Sequence, residues 1–256
     1  MMEIVINRKE MHTAIEDVLL KGRYRGASKS KIGSIDSNVA CLIKNRKIVL
    51  ANANHTIAAL VSVNCETGIE SIKDSEWAFF DAEKAIKYLK SMKGDAVTLK
   101  IDSSSLNIVG SSNVKMPLSI EHSGIKGIAK LLTSSLKEEG AKFGSTTYNT
   151  ILTLADGEDF ARAIKECSVV GTSAYKLVYD GSEKLTLSSS NFQETEHYSS
   201  TIEIAGHTGN PVTIEFSAPL DKFCRGPMYI CLKEVSPILF IGADRKLIVA
   251  PYIKGN

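Results

Sequence analysis

The second half of this 256-residue chain repeats the layout of its first half. A lysine precedes a short apolar run at Lys47 and again at Lys184, an offset of 137 residues. Phe80 and Phe216 each end an apolar stretch before a run with helical spacing, an offset of 136 residues. Nearly equal offsets at separate landmarks indicate two copies of one unit of roughly 110–130 residues, a common domain size.

Composition narrows the class of protein. The chain is 43% hydrophobic, which is ordinary for a chain with real cores, and its formal net charge is only +2. No apolar run approaches the ~20 residues that cross a bilayer, and the N-terminus lacks the features of a signal peptide. We therefore expect no membrane partner and an intracellular location: cytoplasm or nucleoid, nucleus, or a viral protein inside a host cell.

The sequence offers no recognisable catalytic or metal-binding motif. The five cysteines are scattered without a CxxC pair, and the five histidines are dispersed, so neither a zinc site nor a disulfide framework is expected. No phosphate-cradling, dinucleotide-binding, nucleophile-elbow or zinc-protease motif occurs. We predict no catalytic residues, no cofactor and no metal; an enzyme with a dispersed site stays open as an alternative.

Each half reads as an α+β unit of antiparallel strands with two helices on one face. Apolar residues recur at helical spacing from Met11 to Leu19 and from Phe160 to Cys167. Further helices are predicted over 82–89 and 220–225. The predicted domains are 1–115 and 147–256, with a connector over 116–146.

Two stretches break the symmetry. The insert 21–38 is rich in Gly and Ser and basic, and it suits either a solvated loop or a loop that contacts phosphate; its cations are Lys21, Arg23, Arg25, Lys29 and Lys31. The connector is too long for a plain loop. Helical spacing predicts that part of it forms an amphipathic helix through Ile128, Leu131, Leu132 and Leu136.

Cations recur at spacings of three on the predicted helices, which places them on one side of each helix. They are Lys84, Lys87, Lys90, Arg162, Lys165, Lys222 and Arg225. One such stripe is usually a solvated face. Its recurrence on repeated units favours a surface that binds a polyanion backbone without reading sequence.

The chain resembles the sliding clamps of DNA replication, the family of proliferating cell nuclear antigen, in layout and in three short stretches. The C-terminal strands Val235-Ser236-Pro237-Ile238-Leu239-Phe240 and Leu247-Ile248-Val249-Ala250-Pro251-Tyr252-Ile253 are similar to the family's last two strands. Asp159-Phe160-Ala161-Arg162-Ala163-Ile164-Lys165 is similar to the family's E-F-A-R-I-x-R helix. Lys84 and Lys87 match two lysines of the first domain's second helix. His12 and Thr13 depart from the pattern, because the family tends to have lysines there.

The resemblance implies a DNA polymerase processivity factor that encircles duplex DNA. It implies a homotrimeric ring of subunits with two clamp-type domains each, whose inner helices face DNA through the seven cations above. Edge strands would join subunits, and the candidates are 105–109, with Leu106 and Ile108, and 201–204, with Ile202 and Ile204.

The resemblance also implies a clamp loader, and a pocket in which a DNA polymerase and other replication proteins dock short peptides. The matching pocket residues are Ile57, Ala58, Met116, Leu118, Ile120, Pro237, Ala250, Pro251 and Tyr252. A ringless DNA-binding processivity subunit, held by charge alone, is the main alternative.

Overall fold

The fold is that of a computed structural model, which describes residues 2–19, 37–44, 46–66, 77–137, 140–170, 174–189, 197–218 and 220–252. The five cations of the basic insert lie outside these residues. The helices are α1 (Arg8–Leu19), α2 (Ala82–Ser91), α3 (Ser123–Thr133) and α4 (Gly157–Cys167). None of the helices in these ranges is long and apolar enough to cross a membrane.

Twenty strands make up the sheets. Those in the first half are β1 (Met2–Asn7), β2 (Asn38–Lys44), β3 (Lys47–Ala53), β4 (Ile57–Asn64), β5 (Ala78–Asp81), β6 (Ala96–Ile101), β7 (Ser105–Val109) and β8 (Asn113–Pro117). Three short ones follow: β9 (Leu136–Lys137), β10 (Gly140–Phe143) and β11 (Thr146–Thr147). The remainder are β12 (Thr150–Leu154), β13 (Tyr175–Tyr179), β14 (Lys184–Ser189), β15 (Ser199–Glu203), β16 (Gly206–Thr208), β17 (Val212–Phe216), β18 (Met228–Leu232), β19 (Ile238–Gly242) and β20 (Arg245–Val249).

The chain forms two compact units. The described part of unit 1 comprises 2–19, 37–54 and 58–130, and that of unit 2 comprises 55–57 and 131–252. The division falls inside the predicted connector.

The two units repeat one sheet plan, which confirms the α+β prediction. In unit 1 the strands run in the orders β1-β6-β7-β8 and β4-β3-β2-β5. In unit 2 they run β12-β18-β19-β20, with β16 added beside β12, and β15-β14-β13-β17. Every assigned pairing within these sheets is antiparallel. The apolar faces predicted for α1, α2 and α4 are buried, as the helical spacing requires.

The predicted helix over 220–225 is wrong, and with it the prediction of two helices on the face of the second unit. Residues 221–223 form a single turn in which Phe223 N–H and Cys224 N–H both donate to Leu220 O. Pro219 and Gly226-Pro227 bracket the stretch. Proline stops a helix from extending, and the few residues between the prolines cannot meet the cost of nucleating one.

The predicted connector contributes structure to both units. Its helix α3 packs Ile125 and Ala129 against Ala40, Ala51 and Phe79 of unit 1. A connector helix was predicted, but with a different extent and face: Leu136 lies in β9, and Leu131 is exposed. Strands β9, β10 and β11 then form a small sheet of unit 2.

Candidate nucleic-acid interface

The α2 helix of unit 1 presents a row of lysines on its exposed side. Asp81 caps the helix, and its side chain accepts a hydrogen bond from Lys84 N–H. Ala82, Ala85, Ile86 and Leu89 are buried, and Lys84, Lys87 and Lys90 are exposed. The sequence-predicted division between an apolar and a cationic face is therefore confirmed for this helix.

Two of the three lysines have carboxylate neighbours. Lys84 Nζ lies 3.6 Å from Asp81 Oδ2, and Lys90 Nζ lies 3.3 Å from Glu16 Oε1 of α1. Lys87 forms no ion pair with any residue in the described part of the chain. An unpaired ammonium can contact a phosphate without first leaving a carboxylate.

Helix α1 adds little positive charge to this side of unit 1. Its exposed residues are Lys9, Glu10 and Glu16, and Lys9 itself lies 4.0 Å from the Asp95 carboxylate. His12 is half-buried, with Nδ1 3.6 Å from Glu16 Oε2. The departure from the clamp pattern at His12 and Thr13 thus coincides with an α1 surface that carries more acids than bases.

In unit 2, helix α4 repeats the arrangement of α2. Asp156 caps it by accepting Glu158 N–H, and Phe160, Ala163 and Ile164 face the core. Arg162 and Lys165 are exposed on the other side. Arg162 Nη2 lies 2.6 Å from Asp159 Oδ1, whereas Lys165 has no ion-pair partner among the described residues.

Lys222 and Arg225 lie in the turn that replaces the predicted helix, so they do not form a helical stripe. Lys222 is exposed and Arg225 is half-buried. Burial by itself raises the pKa of the Asp244 carboxyl. The hydrogen bond from Arg245 and the positive charges of Arg245 and Arg225 outweigh burial and lower it below its usual value. Arg225 is therefore close enough to act electrostatically on Asp244.

One of the two predicted edge strands is wrong. Strand β7 pairs with β6 on one side and with β8 on the other, so Leu106 and Ile108 lie buried in an interior strand. The end strand of that sheet is β8. Strand β15 is an end strand of its sheet, as predicted, but Ile202 and Ile204 point into the core.

Backbone groups of both end strands point outward. Leu118 N–H donates to Ser104 O, and alternation along an antiparallel pair then turns the N–H groups of Asn113 and Lys115 away from β7. Ile204 N–H donates to Glu183 O, which turns those of Thr201 and Glu203 away from β14 in the same way. Among the described strands, none pairs with these outer sides of β8 and β15.

The predicted peptide pocket has members in both units, and it stays a prediction. In unit 1, Ala58 and Met116 are buried, Leu118 is half-buried, and Ile120 is 93% exposed.

The members of the pocket set in unit 2 lie near its last strand. Tyr148 Oη donates to Pro237 O, and Ala250 N–H donates to Thr56 O beside Ile57. Pro251 forms a β-bridge with Phe216, and Tyr252 is 45% exposed.

Sequence reasoning missed three residues that shape the cationic surfaces. Glu16 pairs with Lys90, Gly157 admits the 220–226 turn, and Arg245 binds that turn. Nothing local in the sequence marks Arg245, because its partner Phe223 lies 22 residues earlier. No group of three or more His, Cys, Asp or Glu side chains in the described ranges could hold a metal ion.

The fold is similar to that of solved DNA sliding clamps. The Bacillus subtilis DNA polymerase sliding clamp superposes with a TM-score of 0.74 at 14% identity, over 99% of this chain and 64% of that one. The Helicobacter pylori beta clamp bound to a DNA ligase peptide gives 0.68 at 13% identity, over 100% of this chain and 67% of that one. Thermococcus kodakaraensis PCNA gives 0.66 at 14% identity, over 98% of this chain and 99% of that one.

At these identities the similarity shows the fold alone. No protein-family model and no curated protein sequence matches the chain. The chain spans about two thirds of the length of the bacterial clamps and nearly all of the length of the PCNA.

Proposed function

We propose that this chain, which has the sliding-clamp fold, is a processivity factor that encircles duplex DNA and tethers a DNA polymerase and other replication proteins. It acts without catalysis. The observation that carries the proposal is the repeated sheet plan of the two units together with the similarity to sliding clamps over 98–100% of the chain.

The DNA contacts come from the exposed cations of α2, α4 and the 220–226 turn. Lys87 and Lys165 lead, because they have no ion-pair partner within the described ranges. Lys84, Lys90 and Arg162 exchange a carboxylate for a phosphate when DNA is present. Contacts of this kind hold the backbone without reading bases and so allow the protein to slide.

The ring forms when β8 of one subunit pairs with β15 of the next. Both strands have outward backbone donors and acceptors, and an exposed end strand is otherwise an aggregation hazard. Lys115 on β8 and Glu203 on β15 are both exposed and opposite in charge. Because the two surfaces differ, the contact is head-to-tail and closes into a ring, which we expect to contain three copies.

Partner proteins dock short peptides in the predicted pocket, where Ile120 and Tyr252 offer exposed apolar surface. The solved Helicobacter pylori beta clamp carries a DNA ligase peptide, which supports this mode of binding. A closed ring has no free end through which circular DNA can enter, so an ATP-driven clamp loader is also expected.

Light scattering coupled to size exclusion at micromolar concentration tests the assembly. A homotrimer of this 27.8 kDa chain elutes at about three times the mass of one copy. A particle with the mass of one chain would rule out the ring and favour the ringless subunit held on DNA by charge.

A further inference from the structure

The guanidinium of Arg245 is buried beside the turn that carries Lys222 and Arg225. Arg245 is 2% exposed, and its Nη1 donates to Phe223 O at 3.1 Å. Nε and Nη2 donate to the two carboxylate oxygens of Asp244, each at 2.9 Å, and the guanidinium lies 5.6 Å from the centroid of the Phe223 ring. One side chain thus joins β20 to the middle of the turn.

The other end of the turn is attached to the start of α4. Gly226 N–H donates to Asp156 Oδ1 at 3.0 Å, and Gly157 N–H donates to Gly226 O at 2.7 Å. A Cβ at position 157 would lie 2.8 Å from Arg225 N, which is too close for any side chain. The backbone at Arg225 therefore rests directly on the helix that carries Arg162 and Lys165.

We propose that Arg245 is a positioning residue for DNA binding, which holds the 220–226 turn against α4 so that Lys222 and Arg225 join the cationic surface of unit 2. The inference rests on the proposed function. A helix would hold two cations through its own hydrogen bonds, but this stretch has only one turn. Arg245 supplies the missing restraint from a distant strand.

The chemistry of the site calls for arginine. Burying a cation is costly unless it is paired and hydrogen-bonded, and here a carboxylate, a carbonyl and a ring face meet one planar group. Lysine has a point charge and no fork, so it cannot serve Asp244 and Phe223 O together. A cation that only filled space would be replaced by an apolar side chain without effect on DNA.

Fluorescence anisotropy with a labelled 30-bp duplex over a series of salt concentrations tests the proposal. Losing a phosphate contact lowers the slope of log K against log salt by about 0.9. We expect Arg245→Met to lower the slope by as much as Lys222→Ala/Arg225→Ala does. The triple variant should then bind like the double variant, because Arg245 acts only through those two cations.

Thiol labelling read by mass spectrometry reports whether the turn has loosened. Burial raises the pKa of Cys224 and of Cys231 to about 12, so both thiols react slowly in the folded protein. In Arg245→Met we expect Cys224, which lies in the turn, to label at least about tenfold faster, since opening of the turn exposes it. Cys231 and Cys167 should label at the wild-type rate.

Lys246→Met is the matched control. Lys246 is the next residue along β20, it is half-buried, and it donates to Thr133 O and not to the turn. Its loss should leave the Cys224 labelling rate unchanged, and the DNA salt slope with it.

Three results would overturn the inference. The first is a wild-type salt slope in Arg245→Met with Cys224 exposed, and the second is a loss that adds to that of the double variant. If Arg245→Met exposes all the buried thiols together, Gly157→Ala provides the test, because it displaces the turn with Arg245 intact; a wild-type slope there is the third. Failure of the proposed function looks different, since wild type itself would then not bind the duplex.

Discussion

Lys90 Nζ of α2 lies 3.3 Å from Glu16 Oε1 of α1, and the two side chains are about half exposed. The pair joins the exposed sides of the two helices of unit 1. It places a carboxylate within the surface proposed to face DNA. A phosphate that approaches Lys90 must compete with Glu16, so this acid tunes the strength of the contact.

Replacing Glu16 by glutamine should strengthen DNA binding. The change removes the competing charge and frees Lys90, so we expect about two- to fivefold tighter binding at low salt and a salt slope that is steeper by up to about 0.9. Anisotropy with the 30-bp duplex measures both. Glu3→Gln is the control, because Glu3 pairs with Lys100 at 2.9 Å on β1 and β6, away from the helices. Equal effects of the two variants would mean that only net charge matters.

Among the lysines of α2, Lys87 should contribute more to DNA binding than Lys90. Lys87→Ala removes a cation with no ion-pair partner in the described part of the chain, whereas Lys90→Ala also releases Glu16. We expect the salt slope to fall by about 0.9 in Lys87→Ala and by less in Lys90→Ala. Folding should be unaffected, because exposed charges contribute little to stability.

The same comparison applies to unit 2 and to the combined surface. Lys165→Ala should weaken binding more than Arg162→Ala does. Charge reversal at Lys84, Lys87, Arg162 and Lys165 together should abolish polymerase stimulation while the melting temperature stays the same. Undiminished stimulation would remove these residues from the DNA-facing surface.

Two helix caps should differ in their effect on stability. Asp156 accepts backbone donors from Glu158 and Gly226, whereas Asp81 accepts one from Lys84. Asp81→Ala should cost about 1 kcal/mol of the free energy of unfolding, and Asp156→Ala about 2 kcal/mol, because it also releases the turn. Chemical denaturation measures both values. A smaller cost at Asp156 would show that Gly226 N–H finds another acceptor.

Proline at an outward position should break subunit contacts and spare the fold. Lys115→Pro and Thr201→Pro each remove an N–H that points away from the neighbouring strand, and proline is tolerated on edge strands for that reason. Each variant should elute with the mass of one chain and keep a wild-type circular dichroism spectrum. Lys115→Ala, which keeps the N–H, should remain a trimer.

An oligomer of unchanged mass in both proline variants would exclude β8–β15 pairing. The subunits would then have to meet through some other surface, and the outward N–H groups of Lys115 and Thr201 would have no role in assembly.

Helical spacing predicted α1, α2 and α4 because each is a local pattern: apolar residues on one side, cations on the other, and an Asp or Asn cap. The 220–226 turn is not local. Its sequence has the spacing of a helix, but its conformation depends on Arg245 and Gly157, which lie in other elements. The cationic residues could therefore be identified from the sequence, but the way unit 2 holds two of them could not.

The edge strand was misplaced for a related reason. Strand β8 has the sequence Asn-Val-Lys-Met-Pro, in which only Val114 and Met116 are apolar and a proline closes the run. A short polar strand gives a weak signal, so β7, with its apolar residues, looks like the end of the sheet. The composition that hides β8 is the one that suits an exposed edge, where charge and proline limit unwanted pairing.

Retention on linear duplex DNA with controlled ends tests most directly whether the protein encircles DNA. The protein is added either to duplex already blocked at both ends by streptavidin or to duplex blocked after binding, and the DNA is then washed at high salt. A closed ring threads over a free end, so we expect retention only when the last end is blocked after binding, and release when that end is cut off. Equal binding in both orders of addition, lost at high salt, would contradict encirclement and leave a subunit that holds DNA by charge alone.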